Sequence, residues 1–350
     1  MNRKKIFGFV FAILLIGSSV MAQQYVTQVK SSNKKWGYVN QKGEVIIQPQ
    51  FEKCYEFSPD GYAPIYDTKN RQYYFINPKG DKLQTEVSSF KLIDGFGIDL
   101  KGFEDGLVPV KVGEKWGYMN TAGKLAIPAQ YDEPTAFSSG HASAKKGSGY
   151  VVLNTKGEET PISSDVIDIK VFSEKLAPYR AADKKFGFID TNGKVAIPAQ
   201  FESVGYFKNG LAWAKTLDKK VGYINPQGEW VIKPQFDVAK EFDAKSGMAR
   251  IKQGDQWGYV SKTGNVLHVN DTDLFGDFSD GLAQGRKNEK IGFFNSKGEW
   301  VIAPQFDGSR DFKNGYAAAK KNDKWGMINT EGKWVIEPTF DAIKDMELIK

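Results

Sequence analysis

Charged side chains recur along this chain at a near-constant interval, and any binding chemistry would start there. One basic column runs Lys111, Lys145, Arg180, Lys215, Lys252, Arg286 and Lys320, with Lys30 extending it. Aligned by stacking, one positive charge per unit would make a stripe suited to an anionic polymer. Acidic residues recur as regularly, at Glu52, Asp132, Glu202, Asp237, Asp307 and Asp341. A cross-strand ladder in which the two columns neutralise each other is therefore the competing expectation. Trp213 lies outside the other aromatic columns, which makes it the single aromatic best suited to an exposed contact.

Catalysis has less to draw on. The two histidines, His141 and His268, occupy different repeat positions, and His141 stands in a leucine column, as a packed strand residue would. No Gly-x-Ser-x-Gly, Ser-x-x-Lys, His-Glu-x-x-His or phosphate-loop pattern occurs. Carboxylates suffice by type for a two-carboxylate glycosidase, yet most follow the repeat, which points to structural duty. Asn270-Asp271-Thr272-Asp273, with Asp277 and Asp280, offers oxygen ligands but lacks the closing glutamate of a calcium loop, so a polar turn is expected. No catalytic residue, metal or cofactor is assigned.

The elements that would position these residues are repeats. Lys35-Trp36-Gly37-Tyr38-Val39-Asn40 returns as Lys115-Trp116-Gly117-Tyr118-Met119-Asn120, Lys185-Phe186-Gly187-Phe188-Ile189-Asp190 and Lys220-Val221-Gly222-Tyr223-Ile224-Asn225. Further copies start at Trp257, Ile291 and Trp325, and degenerate ones at Tyr73 and Tyr150. The unit anchors are thus residues 36, 73, 116, 150, 186, 221, 257, 291 and 325. Each anchor segment is rich in strand-forming residues and runs into an Asn-x-x-Gly frame, such as Asn225-Pro226-Gln227-Gly228, that suits a type I hairpin turn. Trp230, Ile232, Pro234 and Phe236 then share one strand face, and Pro234 puts that strand at an edge or a bend. A linker to Phe207 or its equivalents and an Asn-Gly or Asp-Gly turn lead to a third strand such as Leu211-Ala212-Trp213-Ala214-Lys215. The expected unit is a three-stranded antiparallel meander with the anchor aromatic in the core. The following glycine would let a ring or backbone approach closely.

The combination of Trp-Gly, Asn-x-x-Gly and Pro-Gln-Phe-Asp/Glu resembles the WG (KWG) β-repeat family over residues 25–350, although the second, fourth and seventh units lack the Pro-Gln-Phe part. The resemblance implies an all-β array common in bacterial envelope and secreted proteins. Single units of this size cannot bury their apolar faces alone, so neighbours must stack. The last unit stops before its third strand is complete, and Tyr25-Val26-Thr27-Gln28-Val29-Lys30 looks like the missing piece. That predicts a closed, propeller-like ring; an open β-solenoid is the alternative.

Arg3-Lys4-Lys5, an apolar run too short to span a bilayer and Val20-Met21-Ala22 read as a signal peptide over residues 1–22, leaving one nine-unit domain at 23–350 with no membrane span. Removal of those three basic residues lowers the formal charge from +6 to +3, too small a surplus for a nucleic-acid footprint. The single cysteine, Cys54, excludes an internal disulfide. The expected protein is an exported scaffold, periplasmic, cell-surface or secreted, that binds protein, peptide or envelope polysaccharide. The alternatives are a secreted hydrolase acting on glycans or peptides and a structural envelope component. The divergent stretches Thr85–Lys101, Thr160–Val171 and Val269–Phe278 are the places expected to set specificity.

Overall fold

A computed structural model describes residues 23–93, 100, 102–163 and 165–349. The expected signal peptide and part of the Thr85–Lys101 stretch lie outside them. Among the described residues the regular elements are all strands, in nine small antiparallel sheets. The sheets are the blades of a nine-bladed β-propeller, numbered here by the anchor each contains.

Blade 6 shows the pattern. Its strands, in order across the sheet, are Ser203–Val204, Ala212–Lys215, Val221–Ile224 and Trp230–Phe236. The third strand carries the anchor and the fourth carries Pro-Gln-Phe. The blade is therefore offset from the sequence unit. The fourth strand ends at Phe236, one residue follows, and Val238–Ala239 already pairs in blade 7. The Leu-Ala-x-x-Lys strand thus pairs with the next anchor strand rather than the preceding one, a correction to the meander drawn from the unit itself. The cause is the single-residue crossing, which leaves no chain with which to fold back.

The ring closes. The N-terminal strand Gln24–Lys30 pairs with Trp36–Asn40 on one side, and with Ala342–Ile343 and Glu347–Ile349 on the other. The core divides accordingly. Nine apolar clusters are found among the described residues, each between two adjacent blades. One of them packs Val29 and Val39 of blade 1 against Ala318, Met327 and Ile336 of blade 9. An open array of nine would have eight such interfaces, so the solenoid alternative is excluded.

The glycine of the repeat is explained by the fourth strand. Tyr223 pairs with Ile232 and Val221 with Phe236, so two residues of one strand face four of the other. The resulting bulge passes directly over Gly222, where a Cβ would lie 2.4 Å from the Ile232 carbonyl oxygen and 2.8 Å from the Pro234 nitrogen. The same approach recurs at Gly37, Gly117, Gly187, Gly292 and Gly326. Blade 4 has Val151 in place of the glycine, and there Glu159–Pro161 pairs in regular register without a bulge.

The residue two beyond the anchor is the true core column. Tyr38, Tyr118, Tyr223 and Tyr259 are fully buried, and each hydroxyl donates to a backbone carbonyl seventeen residues on, such as Tyr223 to Lys240 at 2.8 Å. The anchors Tyr73, Tyr150, Val221 and Ile291 are buried as expected, whereas Trp36, Trp116, Trp257 and Trp325 are half-buried, the first, second and fourth of them packed on the edge of a core cluster. They sit near the hairpin end of the strand, opposite the basic column. The hairpin after the anchor strand is an Asx-type turn. In blade 6 the Asn225 side-chain oxygen accepts from the N–H groups of Gln227 and Glu229, and Gly228 takes φ +82°.

Candidate functional site

The basic column lies in register with the anchors: Lys111 faces Trp116, Lys145 Tyr150, Arg180 Phe186, Lys215 Val221, Lys252 Trp257, Arg286 Ile291 and Lys320 Trp325. Most members have local partners. Lys145 meets Glu133 at 3.3 Å, Arg286 meets Asp273 at 2.7 Å and Lys320 meets Asp323 at 2.8 Å. Lys252 lies 5.9 Å from the Trp257 ring, and Arg180 pairs in the ladder with Asp168. The acidic column is neutralised chiefly by a different lysine, the one at or just before the anchor strand. Lys35 binds Glu52, Lys115 binds Asp132, Lys220 binds Asp237, Lys290 binds Asp307 and Lys324 binds Asp341. Those lysines and backbone N–H donors hold Asp132, Asp237 and Asp307 below the usual carboxylate range. Asp341, bound by Lys324 and Lys34, falls to about 2. Such exposed pairs contribute little each; they tie each hairpin to its neighbour.

A different set of carboxylates converges toward the ring axis. A cleft of about 390 Å³ is lined by Arg310 and Lys313 of blade 9, Asp345 and Glu347 of blade 1, Glu56 before blade 2's second strand, and Gly102 before blade 3's. Residues of four successive blades meet only near the axis. The key position is the one immediately before the buried Phe column. Going round the ring it is Glu241, Asp277, Asp311, Asp345 and Glu56, then Gly102, Ala136, Val171 and Tyr206. One arc of this axial mouth carries carboxylates, of which Asp277 is paired with Arg250 and Asp345 with Arg310 at 3.5 Å, and the other is neutral at this position. Val171 and Tyr206, with Glu241, line a second cleft on the neutral side.

The acidic arc is built. Each of three carboxylates is held by a donor on the preceding blade, at one equivalent strand position. The Trp213 indole N–H donates to Glu241 at 3.1 Å. Arg250 meets Asp277 at 2.7 Å. The Gln284 amide donates to Asp311 at 2.6 Å. Burial pushes the Asp311 carboxyl up, and the carboxylates of Asp277 and Asp345 add to the rise. Burial likewise pushes Glu347 up to about 7, opposed by its hydrogen bond from Lys313 and reinforced by Glu56.

Of the residues singled out in the sequence, Trp213 and Asp277 fall in the mouth. Trp213 is half-buried and acts there as a hydrogen-bond donor rather than as a free aromatic face. His141 packs with its ring 6.0 Å from Phe172. In the acidic loop, Asp271 binds Lys287 and Asp273 binds Arg286. Sequence reasoning missed the other mouth carboxylates and assigned Asp277 to a polar turn. Their one signal is their place, one residue before Phe57, Phe242, Phe278, Phe312 and Met346.

The sequence model described as WG containing repeat matches residues 36–66, 116–150, 186–220, 222–257, 291–325 and 325–347, more than half of the chain. The chain belongs to the WG-repeat family. Four of the matched segments of this WG-repeat chain, those starting at 116, 186, 222 and 291, run from one anchor to the next within a residue, and the second, fourth and seventh anchors start no match. No curated protein sequence matches it. Among solved structures, the crystal structure of the eukaryotic initiation factor aligns over 93% of this chain and 98% of its own, with 13% identity and a TM-score of 0.59. Dipeptidyl peptidase 4 of Porphyromonas gingivalis aligns over 81% and 59%, with 10% identity and a TM-score of 0.46. BamB of Moraxella catarrhalis aligns over 80% and 94%, with 10% identity and a TM-score of 0.40. At these identities the likeness to the initiation factor is one of fold alone.

Proposed function

We propose that this WG-repeat propeller is an exported, non-catalytic scaffold that binds a cationic segment of a protein partner at its axial mouth. The observation that carries the reading is the acidic arc, with carboxylates at one repeat position in five successive blades and three of them fixed by donors of the preceding blade. Pre-oriented carboxylates on a rigid frame favour a multiply charged cation without a large ordering cost. The neutral arc opposite, with Val171 and Tyr206, supplies apolar contact beside the charge.

Binding of a lysine- and arginine-rich peptide to residues 23–350, measured by titration calorimetry, tests this. Affinity should fall as salt rises, and the triple variant Glu241→Gln, Asp277→Asn, Asp311→Asn should weaken it at least tenfold. Equal affinity of the variant for the peptide would defeat the reading. Turnover of glycan or peptide substrates that is abolished by one carboxylate substitution would instead establish the hydrolase.

A further inference from the structure

Blade 7, like blades 2 and 4, departs from the other six at the end of its fourth strand, and its departure leaves a hole of definite shape. In six blades the residue four after the fourth-strand isoleucine is aromatic and pairs with the anchor: Phe51 with Trp36, Tyr131 with Trp116, Phe201 with Phe186, Phe236 with Val221, Phe306 with Ile291 and Phe340 with Trp325. In blade 7 the ladder stops at Tyr259 with Leu267. Trp257 has no ladder partner on that side.

Hydrogen bonds identify what replaced the aromatic. After the aromatic, the next residue donates its N–H to the carbonyl of the basic-column residue of the next blade: Asp132 to Lys145, Glu202 to Lys215, Asp237 to Lys252, Asp307 to Lys320 and Asp341 to Lys30. In this blade the donor is Asp273, to Arg286. Thr272 therefore stands in the aromatic column. It lies five residues beyond Leu267 rather than four, and its small side chain turns onto the Leu274 and Arg286 carbonyls. What remains is a notch of about 540 Å³ whose walls include Gln256, Trp257, His268, Asn270, Thr272 and Phe275.

We propose that this notch is a docking site for an extended peptide segment of a partner protein, which seats a phenylalanine or tyrosine side chain beside Trp257 and takes the course of the missing half-strand. The six blades that keep the aromatic specify the occupant, because in each of them an extended segment with an aromatic at this register pairs with the anchor. The added segment is a strand on an open sheet edge. Indole and incoming ring provide an aromatic contact, and Gln256, His268 and Asn270 offer side-chain partners to the segment's backbone. The site is separate from the axial mouth and stands or falls independently of it.

The probe is a synthetic peptide with the sequence of residues 231–237, Val-Ile-Lys-Pro-Gln-Phe-Asp, added to residues 23–350. Indole N–H resonances and fluorescence report binding. The expected result is saturable perturbation of the Trp257 indole, weakened at least tenfold when alanine replaces the peptide's phenylalanine. Thr272→Phe should fill the notch and abolish binding, while Thr272→Val, which leaves the notch open, should retain it. The triple mouth variant should bind this peptide as the parent does, which separates the two sites. Absence of saturable perturbation, or equal binding by a folded Thr272→Phe protein, overturns the proposal. So does a panel of oligosaccharides that perturbs Trp257 where the peptide does not.

Discussion

Alanine in place of Gly222 should be among the most damaging small substitutions in the ring. The new Cβ would lie 2.4 Å from the Ile232 carbonyl oxygen, 2.8 Å from the Pro234 nitrogen and 2.9 Å from the Lys233 carbonyl carbon. Comfortable carbon contacts are about 3.5–4.0 Å, so the overlap is about 1 Å. All three atoms are backbone, and no rotamer change relieves it. The bulge would have to lift, withdrawing Ile232 and Phe236 from the core between blades 6 and 7. Overpacking costs about 1–3 kcal/mol in general, and a clash against a fixed bulge belongs at the upper end, about 3 kcal/mol. Two controls make the argument discriminating. At Gly258 one backbone atom, the Leu267 oxygen, lies at 2.9 Å, and the other contact is the His268 ring at 3.0 Å; the ring can move and the single backbone contact is 0.5 Å longer than at Gly222, so a smaller cost of about 1 kcal/mol is expected. At Gly149 nothing lies within 4 Å, and alanine should be neutral or slightly stabilising, since strand glycine costs about 0.5–1 kcal/mol against alanine. Equilibrium urea unfolding followed by tryptophan fluorescence orders the three. If Gly222→Ala unfolds within about 0.5 kcal/mol of Gly149→Ala, the account of the repeat glycine is wrong.

Three more outcomes follow from the same geometry. Tyr223→Phe leaves the Lys240 carbonyl without its 2.8 Å donor and should cost about 1–2 kcal/mol in urea unfolding. Deletion of residues 23–31 removes the buried Val26 and Val29 from the closing blade; at about 1.5–3 kcal/mol for each side chain, the midpoint of thermal unfolding should drop sharply, and an unchanged midpoint would contradict closure. Glu347 carries a folded-state pKa raised from its ordinary value to about 7, so its contribution to stability is complete below about pH 4.5 and is lost as pH rises through 7. A shift of this size corresponds to about 3 kcal/mol at most, and Glu347→Gln should flatten the fall in unfolding free energy between pH 5 and 8.

The sequence exposed whatever obeys the strand period. Trp230, Ile232, Pro234 and Phe236 do lie on the inner face while Val231, Lys233 and Gln235 are exposed, because alternate side chains of a strand point to opposite faces. Closure was legible in the truncated last unit and the orphan strand at the start. The offset between unit and blade was not, because pairing partners are set by where the chain crosses, and a one-residue crossing looks the same as a turn. The partial exposure of the tryptophan anchors was hidden for a related reason: Trp36 and Tyr38 share a face, and only their distance from the hairpin end decides which is covered. The mouth carboxylates lie between strands, where no period marks them. Thr272 was hidden by the extra residue before it, and hydrogen-bond equivalence was needed to place it.

Between neighbouring blades such as 6 and 7 the junction is covalent: a single residue, Asp237, carries the chain from Phe236 to Val238. Such a tether holds the two sheets at high effective concentration, so two ladder pairs suffice for the first strand of blade 7. At blade 1 the first and second strands come from opposite ends of the chain, and that tether is missing on one side of the second strand. There the segment after the first strand pairs at three positions, Gln24 with Ile349, Tyr25 with Leu348 and Val26 with Glu347, where its equivalents in blades 3, 4, 5, 6 and 9 make one bridge and that in blade 8 two pairs. It is joined by the Thr27 hydroxyl donating to the Lys344 carbonyl and by Lys313 binding Glu347. Extra ladder pairs replace what the tether supplies elsewhere. Weakening them should therefore open the ring at blade 1 before any other junction separates, and hydrogen exchange at Val26 and Val29 should outpace that at their equivalents in blade 6, Leu211 and Ala214, in a variant truncated after residue 346.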